Sequence, residues 1–136
     1  RSRATHRKII NEDEVIGALE ELGFVTIVTE LISIKEQVAL FSQAEVVVSI
    51  HGAGLANIAF CKPGTKVIEI LTPNFLYIPR YYILSHCCEL EYYYLIAEAI
   101  KNSYLRSIFY DNHNGLEDVL VNINSLKALL KMAEID

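Results

Sequence analysis

The sequence predicts an α/β fold in which helices alternate with the strands of a mainly parallel sheet. Three observations carry that expectation. Short amphipathic stretches with helix-start and helix-stop residues alternate with short apolar runs. The run "EVVVSI" is β-branched and apolar on both faces, as a strand covered by helices on either side must be. The connections are short and built on Gly and Pro, as in "HGAG" and "KPGT". Alternation of this kind implies right-handed crossovers and helices on both faces of the sheet.

The elements follow in order. "NEDEVIGALEELG" reads as a helix with Val15, Ile16, Leu19 and Leu22 on one stripe. Asn11 can cap its start, with Glu14 facing the first-turn amides, and Gly23 can stop it. "FVTIVT" reads as a strand. "SIKEQVALFSQA" repeats the helical pattern behind the capping box of Ser33 and Glu36. "EVVVSI" is the next strand, and a short helix is expected near Gly54 to Cys61. "KPGT" turns the chain into the strand "KVIEIL". "FLYIPRYYILSHCCEL" reads as helical, with Pro79 near its first turn. "EYYYLIA" reads as a strand and "NHNG" as a loop. "EDVLV" is a short strand or extended segment. "NINSLKALLKMA" closes as a helix with Leu126, Leu129, Leu130 and Ala133 in one stripe. With no internal repeat, low-complexity tract or linker, the expectation is one domain over residues 1–136, a three-layer Rossmann-like sandwich.

The chain of 136 residues is long enough to bury a core. Its net charge of -5 argues against a wide nucleic-acid footprint. No apolar run is long enough to cross a bilayer; Ser42, Gln43 and Glu45 interrupt the nearest. Because the sequence begins at Arg1, it reads as a piece of a longer protein. Three cysteines, Cys61, Cys87 and Cys88, form neither a disulfide framework nor a zinc signature. His86 beside Cys87 lacks the further ligands a tetrahedral metal site needs. The cysteines read as small buried hydrophobes in a reducing compartment.

The stretch "SIHGAGLAN" carries the chemistry. In an open parallel sheet, ligands bind beyond the carboxyl ends of the strands. Gly52 and Gly54 let the backbone turn tightly, and a following helix points its free amides at a phosphate or pyrophosphate. His51 can donate to a phosphate oxygen or act as a base near neutral pH. Asn57, one turn later, can reach back over the same pocket, and Ser49 and Ala53 flank it. The alternative stays open: such turns use glycine for packing alone, and a lone His there can be structural. The stretch is not a G-x-G-x-x-G fingerprint, since position 57 is Asn. Glu69 interrupts an apolar strand; it can accept from ribose hydroxyls, or sit exposed at an edge, or pair with a cation. The amino end holds Arg1, Arg3, Arg7 and Lys8, whose forks and ammonium suit phosphate but also suit a solvated basic end.

These motifs resemble glycosyltransferase family 61, the DUF563 group. The resemblance runs from about Arg1 to Ile96. It is most specific in H-G-A-x-L-x-N, here His51 to Asn57, followed by P-G-x-x-V-x-E, here Pro63 to Glu69. It implies the carboxyl-terminal donor domain of a two-domain GT-B enzyme, which transfers a sugar from a nucleotide-sugar, such as a UDP-sugar, to a glycan or protein acceptor with inversion. The S-R-x-x-x-R element falls on Ser2, Arg3 and Arg7, which would contact the donor diphosphate. His51, Gly52, Ala53 and Gly54 would line the donor pocket, with His51 a candidate catalytic group and Glu69 near the ribose. No metal and no cofactor are implied, in keeping with the absence of a D-x-D motif. The amino-terminal domain would supply the acceptor site, leaving this piece inactive alone. The family includes plant xylosyl- and arabinosyltransferases, animal enzymes that add N-acetylglucosamine to protein O-linked sites, and capsular polysaccharide biosynthesis proteins. A bacterial member would be cytoplasmic; an animal relative would work in the secretory lumen. Two other readings stand beside this: a nucleotide-binding module of a sugar-nucleotide epimerase or dehydrogenase, and a non-catalytic assembly domain whose tyrosines at 77, 81, 82, 92, 93 and 94 form an interface.

Overall fold

The computed structural model describes residues 8–73, 79–99 and 118–135. These fall into two compact units. The first gathers described residues of 8–25, 71–73, 96–99 and 118–135, and the second those of 26–70 and 79–95.

The second unit is built on a three-stranded sheet in the order β1-β2-β3. Strand β1 (Val46–Ile50) runs parallel to β2 (Lys66–Leu71), with Val47 opposite Val67 and Ser49 opposite Glu69. Strand β3 (Glu91–Ile96) lies on the other side of β2. The Glu91 amide donates to Thr65 O and the Ala97 amide to Leu71 O, at the same offset in sequence, so β3 is parallel too. Side chains alternate along a strand, which puts Val47, Ser49, Val67 and Glu69 on one face. There Val67 joins Leu55, Ile58, Cys61 and Leu90 in a hydrophobic core, with Phe41 and Leu84 packed on it.

Helix α2 (Ile34–Phe41) opens on the expected capping box. The Glu36 amide donates to Ser33 Oγ (3.3 Å), and the Glu36 carboxylate accepts from the Ser33 hydroxyl (2.6 Å) and amide (2.8 Å). Those donors, the hydroxyl foremost, hold the Glu36 carboxyl below its usual range. The short helix after β1 is a 3₁₀ helix, η2 (Ala53–Phe60). Its buried residues explain the type. Leu55 and Ile58, with Cys61 just beyond, recur every third position, which is one face of a helix with three residues per turn. Helix α3 (Arg80–Cys87) starts after Pro79.

In the first unit, α1 (Glu12–Glu20) buries Val15 and Ala18 and packs against α4 (Ile123–Met132), which buries Leu126 and Leu130. Gly23 ends the first helix at φ +82°, where a Cβ would be strained. Asn122 caps α4 through the Ser125 amide. Two short strands, β4 (Glu98–Ala99) and β5 (Val119–Leu120), pair antiparallel, and Ile9 bridges to Val119.

The structure corrects two local expectations. "FVTIVT" is not a strand: residues 24–28 find no ladder partner among the described residues, and Thr29 opens a 3₁₀ turn, η1 (Thr29–Leu31). Val25 stays 78% exposed, so the segment buries too little to be drawn into a sheet. Asn11 does not cap α1 with its side chain. Its amide instead mimics a strand, donating to Val121 O (2.8 Å) and accepting from Val121 N (3.0 Å). The expected "NHNG" loop lies outside the described residues, as do residues 74–78 at the start of the expected helix around Pro79.

Candidate functional site

Strand β1 ends at Ile50, and the next residue is the buried His51, whose amide donates to Ile70 O of β2 (2.8 Å). That bond extends the parallel ladder by one step and fixes the imidazole over β2. Two residues from Ser49, His51 falls on the same face, the one that carries Glu69. His51 Nδ1 is hydrogen-bonded to Glu69 Oε1, and the Tyr92 hydroxyl of β3 donates to Glu69 Oε2 at 2.5 Å. The residue just after β1 and one residue each from β2 and β3 thus join in a Tyr–Glu–His chain.

The carboxylate can only accept, so the proton between it and the imidazole sits on Nδ1. That orients the ring and turns Nε2 away from the carboxylate. Burial, reinforced by the neighbouring Glu69, pushes the Tyr92 phenol well above its ordinary range, so it stays a donor. Tyr81 of α3 completes the cluster. Its ring lies 5.2 Å from the His51 ring, and its hydroxyl donates to Gly52 O at 2.6 Å.

The turn is therefore held from both sides: His51 by Glu69, the Gly52 carbonyl by Tyr81. Gly52 is extended backbone, so its place there is not a matter of left-handed φ. Ala53 and Gly54 follow, exposed, as the first residues of η2. Their amides have no acceptor within the helix, by the geometry common to all helix starts. Beside them an open cleft of about 530 Å³ runs between η2 and the α2 region, walled by Glu30, Ile34, Gln37, Gly54, Asn57 and Phe60 among others.

The structure thus brings together Ser49, His51, Gly52 and Glu69, with Ala53 and Gly54 on the exposed side of the turn. Ser49 lies directly opposite Glu69, and its hydroxyl donates to Ile50 O. Glu69 is 2% exposed, with each oxygen bonded to a protein donor. Asn57 turns towards α2, donating to Gln37 Oε1 (2.8 Å) and Gly54 O (3.2 Å). Arg3 and Arg7 lie outside the described residues. Among the described residues no three His, Cys, Asp or Glu side chains converge as a metal site, and no helix is long and apolar enough to cross a membrane.

Sequence reasoning gave Tyr81 and Tyr92 to a possible interface and not to this site, missed Gln37, and did not join His51 to Glu69. A signal was present for the last. Two lone titratable residues at the carboxyl ends of successive parallel strands fall on one face when Ser49 aligns with Glu69. Tyr92 gave no such signal, since any residue of "EYYYLIA" could have faced either way, and Tyr81 sits on a different element, α3.

Comparison with known proteins meets this geometry. The family model described as Glycosyltransferase 61 matches residues 1–68, which run through the capping box, β1 and the His51 turn to one residue short of Glu69. Beta-1,2-xylosyltransferase RCN11 of Oryza sativa subsp. japonica is 31% identical over 121 residues, 83% of this chain and 22% of that protein. Beta-1,2-xylosyltransferase XAX1 of the same plant is 39% identical over 71 residues, 52% of this chain and 12% of that protein. Protein O-linked-mannose beta-1,4-N-acetylglucosaminyltransferase 2 of Takifugu rubripes is 40% identical over 74 residues, 51% of this chain and 12% of that protein. The chain spans less than a quarter of each relative. Half of its length, including the turn on which the buried cluster is built, fits one family, and the chain belongs to glycosyltransferase family 61.

Proposed function

We propose that this chain is the donor-binding part of an inverting, metal-independent glycosyltransferase of GT-B type that takes a UDP-linked sugar. The observation that carries the reading is the family's His-Gly-Ala-Gly turn, clamped by the Tyr92–Glu69–His51 chain and by Tyr81 at the end of a parallel strand. A turn so fixed presents amides without reorganising, which is what stabilising a leaving diphosphate demands. The Ala53 and Gly54 amides face the diphosphate, His51 donates to it or takes up a proton beside it, and Arg3 and Arg7 supply positive charge. Glu69 acts through His51 as a positioning residue. The acceptor hydroxyl attacks the anomeric carbon on the face opposite the leaving UDP; its proton goes to a base, and the bond to the diphosphate oxygen breaks. Residues 1–136 act as one Rossmann-like domain, and the acceptor docks on another part of the protein.

The test is calorimetric titration of the full-length protein with UDP, UDP-xylose and UDP-N-acetylglucosamine. Arg3→Ala, Arg7→Ala and His51→Ala should each weaken UDP binding by about 1 to 3 kcal/mol, the scale of a hydrogen bond to a charged group. Natural affinity in all three variants, or no nucleotide binding at all by a folded protein, refutes the assignment.

A further inference from the structure

We propose that Cys61 and Cys88 form a modification site, a pair of thiols that a small-molecule disulfide such as oxidised glutathione closes into an intrachain bond. By composition the three cysteines read alike, as small buried hydrophobes. The structure separates them. Cys61 is buried in the core with Leu55, Ile58, Val67 and Leu90; Cys88 is half-buried and packs on that same cluster; Cys87 is exposed. Neighbours on a helix point about 100° apart, so Cys88 faces inward and Cys87 does not. The two elements that carry the pair, η2 and α3, pack against each other. The Gly64 amide donates to Glu89 O (2.8 Å), tying the chain just after Cys61 to the residue that follows Cys88. Cys61 ends η2 and Cys88 ends α3. Residues at helix ends adjust more readily than those inside, as the strict geometry of a disulfide requires.

Cys88, the more exposed of the pair, gives its proton to water and attacks one sulfur of the glutathione disulfide. That S–S bond breaks, and one glutathione leaves as a thiolate that takes up a proton. Cys61 then loses its proton and attacks the Cys88 sulfur, expelling the second glutathione. The two cysteine thiols give up two electrons, and the glutathione disulfide is reduced to two thiols. Burial, reinforced by Cys88, pushes the Cys61 thiol up to about 11. Closure is therefore slow at neutral pH and quickens as pH rises. Reversal is hindered as well. The core shields the Cys61 sulfur, and attack on Cys88 must expel Cys61, whose high pKa makes it a poor leaving group. The bond joins the end of η2 to the end of α3. Since η2 opens in the His51 turn and α3 carries Tyr81, whose hydroxyl holds Gly52 O, oxidation staples together the two elements that flank the turn.

The test is peptide mapping of the full-length protein, held folded in oxidised glutathione and then alkylated. Trypsin places Cys61 in residues 36–66, and Cys87 and Cys88 in residues 81–101. The natural protein and Cys87→Ser should both yield these two peptides joined. Cys88→Ala should not, and Cys61→Ala should stop at the first step, with glutathione held on Cys88. Closure in the natural protein should run about tenfold or more faster at pH 9 than at pH 7, as a limiting attack by Cys61 implies. The urea midpoint should rise when the natural protein is oxidised and stay where it is for Cys88→Ala, because the link restricts the unfolded chain. Cys88→Ala, at a half-buried position, keeps the comparison in force if Cys61→Ala fails to fold. Four results overturn the inference: peptides that never join in the folded protein, a link that forms only in denaturant, a link made through Cys87 instead, or an oxidised protein less stable than the reduced one.

Discussion

Replacing Glu69 tests the buried cluster most directly. In Glu69→Ala, the His51 Nδ1 proton and the Tyr92 hydroxyl lose their acceptor, and a void opens beneath the turn. An unsatisfied buried donor costs about 1–3 kcal/mol. His51 is 3% exposed, so it falls towards the upper end. Tyr92 is only partly buried and regains water, so it falls at the lower end. The sum is a loss of about 3–4 kcal/mol, a large share of the 5–15 kcal/mol by which domains are stable. Glu69→Gln keeps the shape and one acceptor but turns an NH₂ towards the other donor, for a loss of about 2 kcal/mol. Urea unfolding followed by circular dichroism measures both, and an unchanged slope identifies the effect as one on stability. A double-mutant cycle of Glu69→Gln with Tyr92→Phe should show a coupling of about 1 kcal/mol. Losses below about 0.5 kcal/mol in both Glu69 variants, the level of an ordinary surface change, would refute the reasoning.

Other consequences are as easily checked. The raised Tyr92 phenol contributes stability that is complete below its ordinary titration near pH 10 and lost as pH climbs above it, because the unfolded chain then ionises first. Urea midpoints across pH 8–11.5 should fall more steeply for the natural protein than for Tyr92→Phe. Asn11→Ala removes the paired bonds to the Val121 backbone and should destabilise by about 1–2 kcal/mol; a thermal melt unchanged from the natural protein would contradict it. Ser85 is fully buried in α3, and its hydroxyl has no partner among the described residues. Ser85→Ala should therefore be neutral or stabilising by up to about 1 kcal/mol, and a clear loss of stability would point to a partner for the hydroxyl.

Local signals were the legible ones. Ser33 and Glu36 sit three residues apart and satisfy each other without help from the rest of the fold, so sequence alone locates the start of α2. The apolar runs of β1 and β2 and the turn between them were likewise readable, because short β-branched runs bounded by Gly and Pro carry strand composition and punctuation together. What failed depended on partners distant in sequence. "FVTIVT" has strand composition, but a strand needs a neighbour, and composition does not say whether one is in reach. Asn11 had two uses for its amide, and the backbone of Val121, 110 residues away, took it instead of the helix start. The 3₁₀ form of η2 was written in the three-residue spacing of Leu55, Ile58 and Cys61, yet eight residues are few for separating a period of three from 3.6. At the site, the turn was visible and its support was not. Glu69 and Tyr92, which hold His51, come from two other strands, and only the sheet alignment brings them to it.

The Tyr–Glu–His chain also acts on how the sheet can be assembled. Parallel strands of Val and Ile would tolerate sliding past one another, since one apolar side chain replaces another at little loss. A one-residue slip of β2 would turn Glu69 to the opposite face, with a carboxylate where Ile68 and Ile70 now lie fully buried. It would also strand His51 and Tyr92 beneath η2 and α3. Three polar side chains that meet in only one alignment therefore select that alignment from an otherwise degenerate set. The residues that hold the turn in place double as the mark by which the strands find their register.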